Sequence, residues 1–295
     1  MLLLQVLKFH GKTGDAMADK NYLHIAYAYS ADGTVDFTTV YPNLNLVDNT
    51  KITQENLNVQ NWSAGVGSSL SVGSNNGIKV INNGGAIGSQ GGFAYGPTIN
   101  VKAGDTITVS CYIKNTGTVD INNFSLQMAF YGNTNTYPAK GRLVIPTDGK
   151  YYFFSFTAIV PNGVTTARPR WFDVATVVNE KHVFEVYAMK LEQGSIATLW
   201  LPSASEVTSK DYPTYIGTYT DENENSSTNP ADYTWESMNY RIYLDGVAVA
   251  GSKLLSAKVE NLKPDTSYTI QVKQVSEEEE SDFSDSVTFK TNVQK

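Results

Sequence analysis

The chain has 295 residues, a formal net charge of −7 and only 17% charged residues against 41% hydrophobic ones. That length allows two or three domains, and an acidic balance without a basic patch argues against nucleic acid as a partner. The single cysteine, Cys111, excludes a disulfide framework and a Cys-based zinc site.

The apolar start, residues 1–7, is too short to cross a membrane. It also lacks the basic region and small-residue cleavage site of a signal peptide, so no membrane partner is expected. Met17 offers a second start. Residues 1–43 read as a leader or attachment segment that carries Tyr22, Tyr27 and Tyr29.

From 44 to 203 the apolar residues recur with period two, the signature of half-buried strands. Along 106–114, Ile107, Val109, Cys111 and Ile113 face one way, and Thr108, Ser110 and Tyr112 the other. Along 124–131, Phe124, Leu126, Met128 and Phe130 face one way, and Ser125, Gln127 and Tyr131 the other. Stretches 151–159 and 183–191 are apolar on both faces and should be covered on both. Turn signals at 82–85, 103–105, 148–149 and 161–163 separate these strands. Many short strands at even spacing predict a two-sheet sandwich. The Gly-rich run 83–92 reads as a loop, since no helix and no Lys follow to make a phosphate cradle.

Residues 204–236 read as a linker with a Ser/Asn/Glu-rich patch at 221–230. A second small β unit follows over 237–295. Segment 22–32 is weakly echoed by 212–221, either as two similar strands or as a trace of common ancestry.

Two stretches carry a family resemblance. In the last unit, the spacing Leu262-x-Pro264-x-Thr266-x-Tyr268 is similar to the tyrosine corner of fibronectin type III domains. The resemblance implies that the Tyr268 hydroxyl bonds back to the backbone. The first two strands of such a domain are not evident, so the unit is either shortened or borrows strands from 215–235. In the central unit, Leu44-Asn45-Leu46, the run 101–114 and the run 186–195 resemble the jelly-roll carbohydrate-binding modules of xylanases and phage tail proteins. The exit 189–203, with segments 215–221 and 25–33, resembles tail proteins of phages that infect Gram-positive bacteria. Taken in order, these segments are most similar to the accessory baseplate proteins of lactococcal siphophages. The resemblance implies an all-β chain, a jelly-roll sandwich followed by a fibronectin type III-like sandwich. It implies a place in the virion tail baseplate and contact with the baseplate scaffold and the receptor-binding protein. It also implies a grip on host cell-wall polysaccharide. A purely structural virion protein without sugar binding is the alternative.

Sugars offer flat C–H faces that stack on aromatic rings and hydroxyls that need directed amides or guanidinium groups. Tyr112, Gln127 and Tyr131 project away from the core side of their strands. Arg170 and Trp171 follow Pro169, in a short segment expected to be an edge strand or loop. Tyr137 and Arg142 sit in an amide-rich loop with Asn133 and Asn135. Trp62 and Tyr95 lie in Gly-rich segments that could form a rim. Each has a plainer alternative: Trp171 as core filling, Arg142 as a solvated charge, Tyr112 on the opposite outer face. Related jelly rolls often hold a structural calcium, for which Asp48 and Glu192 are the conceivable ligands, although their spacing does not demand one. A hydrolase would need paired carboxylates across a cleft. The acidic residues are scattered, and His10, His24 and His182 lack metal-ligand spacing. No Gly-x-Ser-x-Gly elbow or phosphate loop is present, and an enzyme is therefore not expected.

Overall fold

The computed structural model describes residues 21–292 except 59, 60, 258, 260, 261, 277 and 278. Residues 1–20, including Met17, lie outside the described part, and with them much of the expected leader. The described chain opens on strand β1 (Tyr22–Ala28). Contacts divide it into two compact units: Leu44–Val207, and a second made from the residues on either side of it, Thr208–Lys295 included.

The Leu44–Val207 unit is a jelly roll. A short helix α1 (Gln54–Asn58) precedes its strands. One sheet has the order β2 (Trp62–Ala64), β5 (Gln90–Tyr95), β11 (Val164–Val174), β8 (Ile121–Gly132), β9 (Ala139–Ile145), with β6 (Ile99–Asn100) also on β11. The facing sheet has the order β10 (Tyr152–Ile159), β7 (Thr106–Asn115), β12 (His182–Gln193), β4 (Ile78–Asn82), β3 (Ser68–Val72). The alternation in β7 and β8 falls as the sequence predicts. Ile107, Val109, Cys111 and Ile113 of β7, and Phe124, Leu126, Met128 and Phe130 of β8, are fully buried in one core. Burial among these apolar groups pushes the Cys111 thiol pKa up, so the thiol is inert packing.

Asn45 closes this unit on itself. Its side-chain amide donates to the Met189 carbonyl at 2.7 Å, and its side-chain oxygen accepts from the backbone N–H groups of Val47 and Leu191, each at 3.0 Å. Its backbone forms a parallel bridge with Ser203. The entry and the exit of the jelly roll are thereby joined.

Two expectations are corrected here. The Gly-rich run is not all loop, because its end is strand β5, paired on both sides. Glycine is required there for lack of space: a Cβ on Gly92, whose φ is +95°, would lie 2.3 Å from the Trp171 carbonyl oxygen. The segment after Pro169 is not an edge. Strand β11 lies centrally, and Pro169 falls between the stretches that pair with β6 (166–167) and with β5 (170–174). The missing N–H thus sits beside a break in the neighbouring ladder.

The second unit holds two sheets. The first has the order β1, β13 (Tyr215–Asp221), β14 (Thr234–Ser237). The two echoing segments of the sequence are therefore partners: β1 and β13 pair antiparallel along their whole length. This also corrects the reading of 204–236 as a linker. Strand β13 is the middle strand, and Tyr212 and Tyr233 are buried. The polar patch that suggested a linker lies mostly in the loop between β13 and β14. The second sheet has the order β16 (Val247–Ser252), β15 (Tyr240–Leu244), β17 (Ser267–Gln274), β18 (Val287–Lys290). Its core is Ile242, Leu244, Ala250 and Ile270, with Tyr268 and Phe289 packed on it. The backbone N–H of Lys263 donates to the Tyr268 hydroxyl at 2.9 Å, the contact that the tyrosine-corner spacing implies. Strand β13 pairs with β1 and β14, and neither β13 nor β14 pairs with this sheet, so no strand is borrowed from 215–235. Glu280 pairs with Arg241 and Lys273.

Candidate functional site

The outer face of the sheet centred on β11 gathers polar and aromatic side chains over a low floor. Residues two apart on β11 and β8 point away from the core. On β11 these are Arg168, Arg170 and Phe172; on β8 they are Ser125, Gln127, Ala129 and Tyr131. The register sets Arg170 opposite Gln127, Arg168 opposite Ala129 and Phe172 opposite Ser125. Across the sheet the outward positions are small: Ala139 beside Gln127, Ala94 beside Arg170, Gly92 beside Phe172, and Ser63 beside Ala94.

Arg170 is the hub of this face. One terminal nitrogen donates to the Gln127 amide oxygen at 3.1 Å and the other to the Tyr131 hydroxyl at 2.9 Å. Its guanidinium carbon lies 5.3 Å from the Tyr137 ring centroid and 5.7 Å from that of Phe172. Tyr137 meets Tyr131 edge to face at 6.3 Å, and its side chain is 48% exposed. Arg168 lies beside this group, with Nε donating to the Tyr95 carbonyl and Nη2 donating to the Ser63 hydroxyl at 2.7 Å. The result is a planar cation held between aromatic rings, with directed donors and acceptors around it.

Of the residues singled out by sequence, Gln127, Tyr131, Tyr137 and Arg170 come together here. The others do not. Trp171 is completely buried, stacked on Phe93 at 5.3 Å, because it alternates with Arg170 and so points inward. Trp62 and Tyr95 also face the core, 5.4 Å apart, and Trp62 packs 5.9 Å from Trp171. The Tyr95 hydroxyl accepts from the Asp48 backbone N–H at 3.3 Å. Arg142 is exposed on β9 at a left-handed position, φ +59°, where its backbone N–H donates to the Asn123 side-chain oxygen at 3.0 Å, apart from the cluster. Tyr112 lies on the opposite sheet, in a row with Phe153 of β10 and Tyr187 of β12 at 4.9 and 5.0 Å. Arg168 and Phe172 belong to the face and were missed. The parity of 168, 170 and 172 carried the signal, but Pro169 hid the strand.

Of the two conceivable calcium ligands, Glu192 is engaged by a cation of the chain itself. The Glu192 carboxylate is fully buried and lies 3.3 Å from the Lys190 ammonium. It also accepts from the Thr198 backbone N–H at 2.8 Å. Lys190 Nζ donates in turn to the Thr198 hydroxyl and the Leu199 carbonyl, both at 2.6 Å. Desolvation lowers the Lys190 pKa to about 8, partly opposed by Glu192. Asp48 accepts from the Ser205 hydroxyl at 2.8 Å. Among the described residues no group of three or more His, Cys, Asp or Glu side chains is placed to hold a metal ion.

A buried polar link joins the two jelly-roll sheets. The Asp173 carboxylate of β11 is 2.7 Å from His182 Nδ1 of β12 and accepts from the Asn82 amide of β4 at 2.7 Å. The Glu180 carboxylate lies 3.3 Å from His182 Nε2. The hydrogen bond to Asp173 raises the His182 pKa above its ordinary value.

A family model described as the C-terminal domain of minor structural protein 5-like proteins (BppU-like) matches residues 213–271. The chain is similar over 95% of its length to the whole of a chain in the tripod (BppUct-A-L) from the baseplate of bacteriophage Tuc2009, with 33% identity and a TM-score of 0.69. A family 16 carbohydrate-binding module matches 50% of this chain over 99% of its own, at 20% identity and a TM-score of 0.35. The CBM22-1 xylan-binding domain of Paenibacillus barcinonensis Xyn10C matches 53% over 99%, at 12% identity and a TM-score of 0.36. No curated protein matches by sequence. At 33% identity over nearly its full length, the chain belongs to the family of phage baseplate proteins represented by the Tuc2009 tripod chain: it is a structural protein of the virion tail baseplate, of the lactococcal siphophage type that its sequence resembles, and not an enzyme.

Proposed function

We propose that this baseplate protein binds host cell-wall polysaccharide through the outer face of the β11 sheet and so aids attachment of the virion. The observation that carries the reading is the convergence of Gln127, Tyr131 and Tyr137 on Arg170. Aromatic rings supply apolar contact to the C–H face of a sugar, and the amide, phenol and guanidinium supply hydrogen bonds to its hydroxyls. The small residues around them leave room for a chain lying across the strands. Many copies on one virion would turn weak single-site binding into firm adhesion. Docking to the baseplate scaffold and to the receptor-binding protein belongs to the same reading, with the unit that contains β13–β18 as the docking part; the BppU-like family match falls within it.

The test is a titration of the purified protein with wall polysaccharide from the host. Saturable binding that Arg170→Ala weakens, with the fold intact by circular dichroism, supports the reading. A folded wild-type protein that binds no wall polysaccharide overturns it. A purely structural role predicts instead that Arg170→Ala and Tyr131→Ala impair particle assembly while assembled virions adsorb normally.

A further inference from the structure

We propose that the loop between β13 and β14, residues 221–232, binds a calcium ion. A regular calcium loop is twelve residues long and takes its oxygen ligands from positions 1, 3, 5, 7, 9 and 12. In this loop those positions are Asp221, Asn223, Asn225, Ser227, Asn229 and Asp232. Glu222, Glu224 and Thr228 between them carry oxygens as well, so spacing by itself does not choose among them. The fold does choose. Asp221, Asn223, Asn225, Ser227 and Asp232 line one open cavity of about 490 Å³, and Glu222, Glu224 and Thr228 lie outside its walls.

The sheet beneath holds the loop in place. His24 of β1 is buried, with Nε2 2.8 Å from the Asp221 carboxylate and Nδ1 3.0 Å from the Ser226 hydroxyl. The Ser227 N–H donates to the Tyr219 hydroxyl at 2.7 Å, the Tyr233 hydroxyl to the Ser227 carbonyl at 2.8 Å, and the Trp235 indole to the Pro230 carbonyl at 2.9 Å. These bonds leave ligand capacity unused. One Asp221 oxygen and the whole Asn225 amide make no hydrogen bond among the described residues. The Ser227 carbonyl keeps a second lone pair. Counter-charge is missing too: Asp221, Glu222, Glu224 and Asp232 pair with no Lys or Arg among the described residues, whereas Glu236, Asp265 and Glu280 of the same unit each do. An all-oxygen set with two carboxylates, amides and a carbonyl suits calcium, which accepts many oxygens in flexible geometry; magnesium demands a tight octahedron. Ser226 and Asp232 stand where a regular loop has Gly and Glu, which places the affinity in the weak class, about 10⁻⁴–10⁻³ M.

The experiment is calorimetric titration of the full chain, first stripped with chelator, using calcium chloride and separately magnesium chloride. One saturable calcium site in that range is expected, with magnesium about tenfold weaker, and calcium should raise the melting temperature. Asn225→Ala and Asp232→Asn should each weaken calcium about tenfold. The Asn225 side chain bonds to no other described residue, so its variant keeps the test open if Asp232→Asn fails to fold. Absence of both binding heat and melting shift up to about 10 mM calcium, tenfold above that range, overturns the proposal. Calcium affinity unchanged in the folded variants overturns it as well, since the ion then lies elsewhere. Magnesium as strong as calcium does so too, as diffuse attraction to an acidic loop.

Discussion

The jelly roll has two outer faces built from the same kinds of residue, and they differ in what is left over. On the β7 sheet, Tyr112 and Tyr187 stack on each other at 5.0 Å with their planes 19° apart, so each covers the other's ring. Next to them Lys114, Glu185 and Tyr151 satisfy one another: the ion pair spans 3.9 Å, the phenol reaches the carboxylate at 3.3 Å, and the ammonium lies 4.6 Å from the Tyr151 ring centroid. That face is closed upon itself. On the β11 sheet the rings surround the Arg170 cation, which makes no ion pair with a carboxylate among the described residues. The two faces therefore differ not in aromatic content but in their balance of charge and hydrogen bonds.

Four substitutions or conditions would break or sharpen this contrast. The largest effect is expected at Trp171, which shares β11 with Arg170 but points inward. Trp171→Ala should cost about 3–5 kcal/mol of unfolding free energy in chemical denaturation, as a large core truncation. An unchanged midpoint would place the ring outside the core. Arg170→Ala should instead leave the denaturation midpoint nearly unchanged and weaken polysaccharide binding about tenfold, roughly 1.4 kcal/mol. Calorimetric titration reads this directly, and wild-type affinity in the variant would remove Arg170 from the site. The paired change on the closed face, Tyr112→Ala, should alter affinity by less than about twofold, as expected for a residue outside the contact. A loss as large as that of Arg170→Ala would make both faces binding surfaces.

The smallest effect concerns the link between the two sheets. The folded-state pKa of His182 is raised by Asp173. Its contribution to stability is thus fully present below the unfolded value near 6.5 and is lost as pH rises through the folded value. The melting temperature should fall modestly from pH 6 to pH 8.5, and His182→Gln should flatten that part of the profile. A wild-type profile identical to that of the variant would show the pair to be silent.

How much of this was legible in the sequence follows from which signals are local. The facing of β7 and β8 was legible because strand alternation is a property of consecutive residues. Gln127 and Tyr131 were placed on an outer face by that rule alone. Trp171 and Arg170 were taken together because they are neighbours in sequence, although in a strand neighbours face opposite ways. Pro169 suppressed the strand reading that would have separated them, since it is tolerated in this central strand only where the adjoining ladder is broken. Trp62 and Tyr95 were misplaced by their glycines. Gly92 marks the close approach of two strands and not a free loop, and nothing local distinguishes the two. The middle strand β13 was absorbed into a linker because its partner β1 lies far away in sequence, on the other side of the jelly roll.

That last separation gives the Asn45 knot a meaning beyond stability. Strands β1 and β13 belong to one sheet, yet the whole Leu44–Val207 unit is threaded between them. Because Asn45 and Ser203 lie side by side, the inserted unit leaves the chain almost where it entered, as tolerated domain insertions do. A genetic exchange with breakpoints at these two positions would replace the jelly roll as a cassette and leave the β1–β13 pairing whole. Under the proposed function, that architecture separates the part of the protein that would meet a changing host surface from the part that would keep fitting its own particle.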